Sequence, residues 1–272
     1  MSSNTVIISG YTIGADIECF VKNVNTNEIV SAEGFVKGTK NVPFFFDEKN
    51  PFFATSLDNV LAEICIPPVK ANDCKGFVSN INKSFGYVSS TLPKHLCTAH
   101  VPAASLDSKW LQTENAKLFG CEPDYNVWER SVNQKPKAEN ENLRSSGFHV
   151  HVGYDEPENE KTEKCIKAMD LFLSVPSILI EPDNERRKLY GKAGAFRFKP
   201  YGFEHRVLSG FFASSDDLKA WVFNNTEKAI EAVNNGLSDE IESVSAQIQM
   251  AINKADVKIA GNLIRQFDIP MN

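Results

Sequence analysis

The run Ser146-Gly147-Phe148-His149-Val150-His151-Val152-Gly153 constrains the fold more than any other part of the chain. Its apolar residues alternate with two imidazoles, which is the period of a half-buried β-strand. On such a strand His149 and His151 point to one face, and Phe148, Val150 and Val152 point to the other. Two other segments carry charge at the same spacing, Asp16-Ile17-Glu18 upstream and Glu204-His205-Arg206 downstream. Taken singly, His-x-His is a modest signal. Three strands that each aim charged or metal-binding groups at one surface predict a sheet built to hold cations and phosphates, and so an enzyme.

The 272 residues suffice for a substantial core, and 42% hydrophobic with 24% charged residues is ordinary for a soluble globular chain. The net charge of -6 argues against nucleic acid and anionic membranes as partners, because both need clustered positive surface. Met1 to Thr5 shows no basic stretch leading into a long apolar run, so no signal peptide is expected. No window approaches the roughly 18 apolar residues of a membrane-spanning helix. A cytoplasmic location is therefore expected. The six cysteines form no Cys-x-x-Cys pair and are expected as reduced thiols. His95-Leu96-Cys97-Thr98-Ala99-His100 lacks the fourth ligand and partner motif that a structural zinc site needs.

Strands are expected over 5–9 and 16–22, interrupted by Gly10 and Gly14, and over 28–36 and 42–46, separated by a turn at Gly38-Thr39-Lys40. A further strand over 60–66 should stop at Pro67-Pro68, since neither proline can donate to a ladder. Helical spacing appears from Asp73 to Val88 and from Pro157 to Val175, whereas the polar stretch 91–145 reads largely as loop. A second strand-rich block follows over 178–212. Ser214 or Ser215 is a suitable N-cap for a helix that Gly236 ends, and Ser238 starts another that carries Ile241, Val244, Ile248 and Ile252. Strands that cluster instead of alternating with helices predict one α+β domain over 1–272. Its sheet should be mostly antiparallel, with the sheet motifs in 12–212 and the C-terminal helices in 214–267.

Asp16 and Glu18 on one strand face repel unless a cation or proton lies between them, and such hard oxygens suit Mg²⁺ or Mn²⁺. Gly14-Ala15-Asp16 fits equally well as a turn that Asp16 caps. Glu63, between Leu61, Ala62, Ile64 and Ile66, needs a metal, a basic partner or a proton, because a buried lone charge is expensive. His149 and His151 can ligate through a neutral ring nitrogen or donate to phosphate. The segment 185–206 gathers Arg186, Arg187, Lys188, Lys192, Arg197, Lys199 and Arg206. That density in an acidic chain suggests a local polyanion site, where Arg forks bind phosphate oxygens; for Lys188 and Lys199 a solvated face is the better reading. Glu204 and Arg206 on one face can hold a cation beside the phosphate it accompanies. Neither of the common glycine-rich phosphate-binding motifs occurs.

The ordered set Gly14-Ala15-Asp16-Ile17-Glu18, Glu63-Ile64-Cys65-Ile66-Pro67-Pro68, Gly147-x-His149-x-His151-Val152, Arg186-Arg187 and Glu204-x-Arg206 resembles the carboxylate–amine ligases of the glutamine-synthetase-like superfamily. Gly120-Cys121-Glu122-Pro123-Asp124-Tyr125-Asn126 and Leu189-Tyr190-Gly191-Lys192-Ala193-Gly194-Ala195-Phe196-Arg197 resemble its phage-type branch, carboxylate–amine ligase type 2. The resemblance covers about residues 12–212.

It implies a curved, mostly antiparallel sheet with helices packed on one face and Mg²⁺ (or Mn²⁺) held between ATP and a carboxylate substrate. Asp16, Glu18, Glu63, His149 and Glu204 would be metal ligands. His151, Arg186, Arg187, Lys192, Arg197 and Arg206 would contact the nucleotide or transferred phosphate, with Arg206, Arg187 and Glu63 closest to the chemistry. The superfamily has Glu where this chain has Asp16, one methylene shorter. Glu122 and Asn126 are substrate or metal contacts without a firm role. The implied reaction joins a carboxylate to an amine through an acyl phosphate, the partners being small molecules or peptide ends, in a host cytoplasm if the chain is phage-encoded. A zinc hydrolase using His149-x-His151 is the alternative, with His95, His100 and His205 as its remaining histidines. A binding protein without catalysis on the same scaffold is the third reading. The substrates and the oligomeric state are not legible.

Overall fold

The structure is a computed structural model that describes residues 7–117, 124–133, 140–181 and 183–271. The strands in chain order are β1 (Thr12–Asn23), β2 (Ile29–Val30), β3 (Gly38–Thr39), β4 (Val42–Phe45), β5 (Ala54–Asp58), β6 (Leu61–Lys70) and β7 (Leu96–Ala99). They continue with β8 (Ala103–Ser105), β9 (Tyr125–Asn126), β10 (Ser131–Val132), β11 (Leu143–Ser145), β12 (Phe148–Gly153), β13 (Ala195–Lys199) and β14 (Gly202–His205). The helices are α1 (Cys74–Thr91), α2 (Glu114–Lys117), α3 (Asn159–Met169), α4 (Val175–Ile180), α5 (Glu185–Leu189), α6 (Asp216–Asn234), α7 (Ser238–Ser243), α8 (Ser245–Lys254) and α9 (Val257–Gln266).

One sheet runs β10-β9-β13-β14-β12-β1-β6-β5-β3-β4, with β2 and β7 on the far half of β1 and a small β8–β11 ladder apart from it. Its pairings are antiparallel except for the single parallel contact of β3 with β5. The expected α+β architecture with a mostly antiparallel sheet is what forms. The alternation within each strand separates two faces. Ile13, Ala15, Ile17, Cys19 and Val21 of β1, Phe148, Val150 and Val152 of β12 and Ile64 and Ile66 of β6 enter the main core with α1, α3 and α6. Burying such a side chain contributes roughly 1.5–3 kcal/mol, so the register is set by one apolar face. Asp16 and Glu18 are left for the polar face, and Phe20 enters a second apolar cluster with Val60, Leu61, Leu106 and Leu111.

Several expectations about local structure change. β1 runs unbroken through Gly14, and β6 runs through both prolines. Ala15 pairs with Ile66 and Ile13 with Val69, so Pro67 and Pro68 lie in a bulge where no ladder donor is needed. Gly38-Thr39 is a short strand, so the turn expected at Gly38-Thr39-Lys40 falls on Lys40-Asn41, and the strand in 28–36 is β2 alone. The stretch read as loop contains β7 to β11, too short and too polar to show a period. The segment after β12 forms α3, a π-helical turn over Asp170–Ser174, and α4. Ser215 is the N-cap of α6, accepting from the Leu218 N–H, and Gly236 follows α6 at φ 82°. The helix from Ser238 is divided at Val244 into α7 and α8.

The π turn has a packing cause. Asp170, fully buried, accepts from Trp128 Nε1 (2.6 Å), Gly194 N–H (2.6 Å) and Ser174 Oγ (3.1 Å), and lies 3.2 Å from His205 Nε2. This network ties β14 and the 191–194 turn to the helices on the apolar side of the sheet. No helix among the described residues is long and apolar enough to cross a membrane.

Candidate active site

Cross-strand partners share a face, so the register alone assembles the polar surface. Glu18 lies opposite Glu63, Asp16 opposite both His149 and Cys65, His151 opposite Glu204, Glu204 opposite Arg197, and Ser56 opposite Glu63. Glu18, Glu63 and His149 offer ligand atoms that all lie within 4.8 Å of one another. Glu18 is held from below by Gly147, whose N–H donates to Glu18 Oε2 at 2.7 Å. A Cβ at position 147 would fall 2.4 Å from His149 Nε2, so the imidazole would have to move to admit one.

In this corner burial and the neighbouring acids outweigh the positive charge of Arg206 and Lys40. Burial, then Asp16, Glu18 and Asp58, push the Glu63 carboxyl up to about 8, although Ser56 Oγ donates to it at 2.7 Å. Burial and then Asp58 push Glu18 up to about 7 against the pull of Arg206. Burial and Arg206 hold His149 well below its ordinary value, leaving the neutral ring that a metal needs. Two carboxyls that resist ionisation beside a neutral imidazole fit a hard divalent cation of the Mg²⁺ or Mn²⁺ kind.

Glu204 belongs to the opposite regime. It is 2% exposed, and burial alone would raise its pKa; Arg206, His149, His151 and Lys199 outweigh burial and keep it well below the usual carboxylate range. Arg206 Nη1 is bonded to Glu204 Oε1, Lys199 Nζ lies 2.8 Å from Oε2, Arg197 Nη1 lies 3.9 Å from Oε1, and His149 Nδ1 lies 3.5 Å from Oε1. Arg206 also lies 3.3 Å from His149 Nδ1 and, through Nε, 3.6 Å from Asp124. A basic half centred on Glu204 thus adjoins an acidic half centred on Glu63.

The other expected residues divide. His151 Nε2 lies 3.0 Å from Asp16 Oδ2, and its Nδ1 lies 2.6 Å from Tyr201 Oη. Burial disfavours charge on that ring, but Asp16 and Glu204 overcome it and raise its pKa; burial likewise disfavours the Asp16 charge, and His151 reverses that. Asp16 stands outside the group of three ligand atoms. Arg186 is almost fully buried and spends its donors on the carbonyls of Ser146 (2.8 Å), Val207 (2.5 Å) and Arg206 (3.4 Å). It braces the backbone beneath the site. Arg187 is turned to Glu181 (3.0 Å), Ser177 Oγ (2.7 Å) and the Gly191 carbonyl (3.2 Å). Burial, Lys254 and Arg187 lower the pKa of Lys192, and among the described residues it has no ion pair with the carboxylates of the polar face. The structure therefore does not bring Arg187 or Lys192 to the cluster by any described contact. Glu122 lies outside the described residues. Asn126 caps a turn, its Oδ1 accepting from the N–H groups of Trp128 and Glu129.

Sequence reasoning passes over Asp58, Lys40, Ser56, Asp124 and Tyr201. Asp58 is buried on the polar face, with Lys40 Nζ at 3.1 Å. The even positions of β5 were the available signal, but five residues of mixed polarity do not declare a strand. Among the histidines proposed for zinc, His205 points to the apolar side, His100 packs edge-on against Phe85 at 4.6 Å, and His95 is exposed. Among the described residues the one metal-sized group holds a single histidine, His149.

Residues 138–267 match the family described as phage phiEco32-like COOH.NH2 ligase-type 2. The match is to a family of carboxylate–amine ligases, and it takes in β12, β13 and β14 with His149, His151, Glu204 and Arg206. Among solved structures, a bifunctional glutathione synthetase from Pasteurella multocida is similar at 11% identity and a TM-score of 0.41, covering 95% of this chain and 49% of that one. A Plasmodium falciparum glutamine synthetase is similar at 10% identity and a TM-score of 0.39, covering 83% of this chain and 52% of that one. The chain spans about half the length of both. No curated protein matches it in sequence.

Proposed function

We propose that the chain is an ATP-dependent ligase that joins a carboxylate to an amine, with Mg²⁺ (Mn²⁺ as a substitute) as its cation. The observation that carries this reading is the convergence of Glu18, Glu63 and His149 within 4.8 Å, on the face where Arg197, Lys199 and Arg206 surround Glu204. A bound divalent cation would neutralise phosphate oxygens and polarise the phosphoryl group. Glu18, Glu63 and His149 would hold it, with Glu204 at the boundary between the acidic and basic halves.

In the proposed reaction the substrate carboxylate attacks the γ-phosphorus of ATP, a carboxyl O–P bond forms, and the bond to the ADP oxygen breaks. The amine nitrogen then attacks the acyl carbon, the C–O bond to phosphate breaks, and an amide remains. Arg206, Arg197 and Lys199 offer the fixed positive charge that such a transfer requires as charge moves onto the leaving oxygens. Arg186 supports them indirectly by fixing the carbonyls of Ser146, Arg206 and Val207. The unit proposed to act is the whole chain, since the main apolar core takes in residues from Ile8 to Ile269; its proposed location is the cytoplasm. Its substrates are small molecules or peptide ends.

The test is phosphate release from MgATP in the presence of pooled amino acids and peptides, with mass spectrometry of the products. Wild type should release ADP and phosphate and yield a free amide, and Glu63→Ala and Glu204→Ala should each abolish it. Undiminished ATP-dependent amide formation in both variants would reject the metal assignment, and no ATP binding by wild type would reject the ligase.

A further inference from the structure

The polar face continues past the acidic corner to the edge of the sheet. Phe45 of β4 pairs with Ala54 of β5, Ala54 with Cys65 of β6, Cys65 with Asp16 of β1, and Asp16 with His149 of β12. Cross-strand partners share a face, so these five side chains form one row. At its outer end Phe45 is 56% exposed, and Phe52, two residues before Ala54, is 63% exposed. The proposed reaction gives neither ring a part.

The hairpin holds Phe45 in that position. Its neighbours Phe44 and Phe46 both stack on Tyr87 of α1, with ring centroids 6.2 Å and 4.2 Å away. Phe53 lies beside Phe46 at 5.7 Å, and the Lys83 ammonium sits 4.2 Å over its ring. With those aromatics anchored on the helix side, the two-residue period of the strand turns Phe45 to the polar face. Ala54 puts only a methyl between Phe45 and Cys65, so no large side chain stands in the row between the ring and β6.

The strand order gives this ring an occupant. Arg197 and Lys199 of β13 and Arg206, just after β14, lie to one side of Glu18, Glu63 and His149, whereas β5 and β4 lie to the other. In phosphoryl transfer the attacking and leaving oxygens are roughly in line. A triphosphate over the basic half therefore meets its attacking carboxylate from the side of β6 and β5. Along the strands, the end beyond Glu18 and Glu63 is filled, because Phe20 and Leu61 pack there with Leu106 and Leu111. The row across the strands leads instead to Phe45. Two strand spacings separate β6 from β4, about 10 Å, a span that about three residues of extended chain cover. We propose that Phe45, together with Phe52, seats an apolar side chain of the acyl substrate. That substrate is a peptide whose C-terminal carboxylate reaches the cation corner and whose third residue from that end is aromatic or aliphatic. The direction of approach rests on the ligase reading above.

The test is calorimetry on the intact chain in Mg²⁺ with two acetylated tetrapeptides. One is glycine and serine throughout, and the other carries phenylalanine third from its free carboxylate. Wild type should bind the phenylalanine peptide at least about tenfold more tightly, the scale of half-burying one aromatic side chain. Phe45→Ser should erase that preference, and Phe45→Trp, which restores an aromatic surface, should keep it. In phosphate release from MgATP the preference should appear in KM and not in kcat, because the ring lies far from the reacting atoms. Equal affinities in wild type, or a preference that survives in Phe45→Ser, overturns the proposal. So does sedimentation in which Phe45→Ser dissolves a dimer while peptide binding is unchanged, since the ring would then face a second copy of the chain. Calorimetry needs no turnover, so a wild type that shows the preference yet releases no phosphate overturns the ligase reading and upholds the apolar seat.

Discussion

At the scale of single residues, the polar face depends on carboxyls kept in unequal states by their neighbours. Glu63 sits among Asp16, Glu18 and Asp58 with, among the described residues, Ser56 as its donor, whereas Glu204 is ringed by cations. Glu63→Gln removes a like charge from that corner and also one of the proposed ligand atoms. The expected outcome is a two-part signature: a higher thermal midpoint than wild type in chelator at mildly alkaline pH, and Mn²⁺ affinity lower by at least about tenfold. Calorimetry on the one variant reads both. A variant that is destabilised and still binds Mn²⁺ normally would contradict the charge argument.

At the scale of elements, β12 is the piece on which both faces rely. Gly147 opens it, donates to Glu18 and leaves room for the His149 ring. Gly147→Ala should cost about 1–3 kcal/mol in a urea titration, the usual price of overpacking, and should weaken Mn²⁺ binding with it. The Asp170 network on the other face gives the contrasting case. Trp128→Phe leaves a buried carboxylate without one of its donors and should cost about 1–3 kcal/mol. Its Mn²⁺ affinity should stay at the wild-type level, because Trp128 pins the π turn and not the cation site. Equal losses of metal affinity in the two variants would mean that the faces are not independent.

At the scale of the molecule, the raised carboxyls couple stability to pH. Glu18 and Glu63 lie at about 7 and 8 in the folded chain against an ordinary 4.5, so the folded state keeps protons that the unfolded state has released. Their contribution falls as pH rises through that window. His151, raised by Asp16, acts in the same direction, and His149, held low, acts against it. Glu204 is lowered, so its contribution is present above 4.5 and is lost only as pH falls below that. In chelator the thermal midpoint should therefore drop between about pH 6 and about pH 8, and Mg²⁺ should restore it more at the upper end, where the cation no longer competes with protons. A chelated protein whose midpoint is flat across that range would show that the acidic corner is neutralised by other means.

The strands of the site were legible because alternation is a local property: Phe148 to Val152 and Ile13 to Val21 each display a two-residue period that only one register satisfies. From it follow the shared face of Asp16, Glu18, His149, His151 and Glu204 and the antiparallel α+β plan. Charge density along the chain could not separate Arg206, which meets Glu204, from Arg186 and Arg187, which meet backbone carbonyls and Glu181, since all are cations in one basic stretch. Tertiary structure alone decided the partners. Asp58, Lys40 and Tyr201 reach the site through short strands and a hairpin whose sequences carry no period of their own. The contact of Asp16 with His151 joins residues 135 positions apart (16 to 151), which tertiary packing and not local pattern determines.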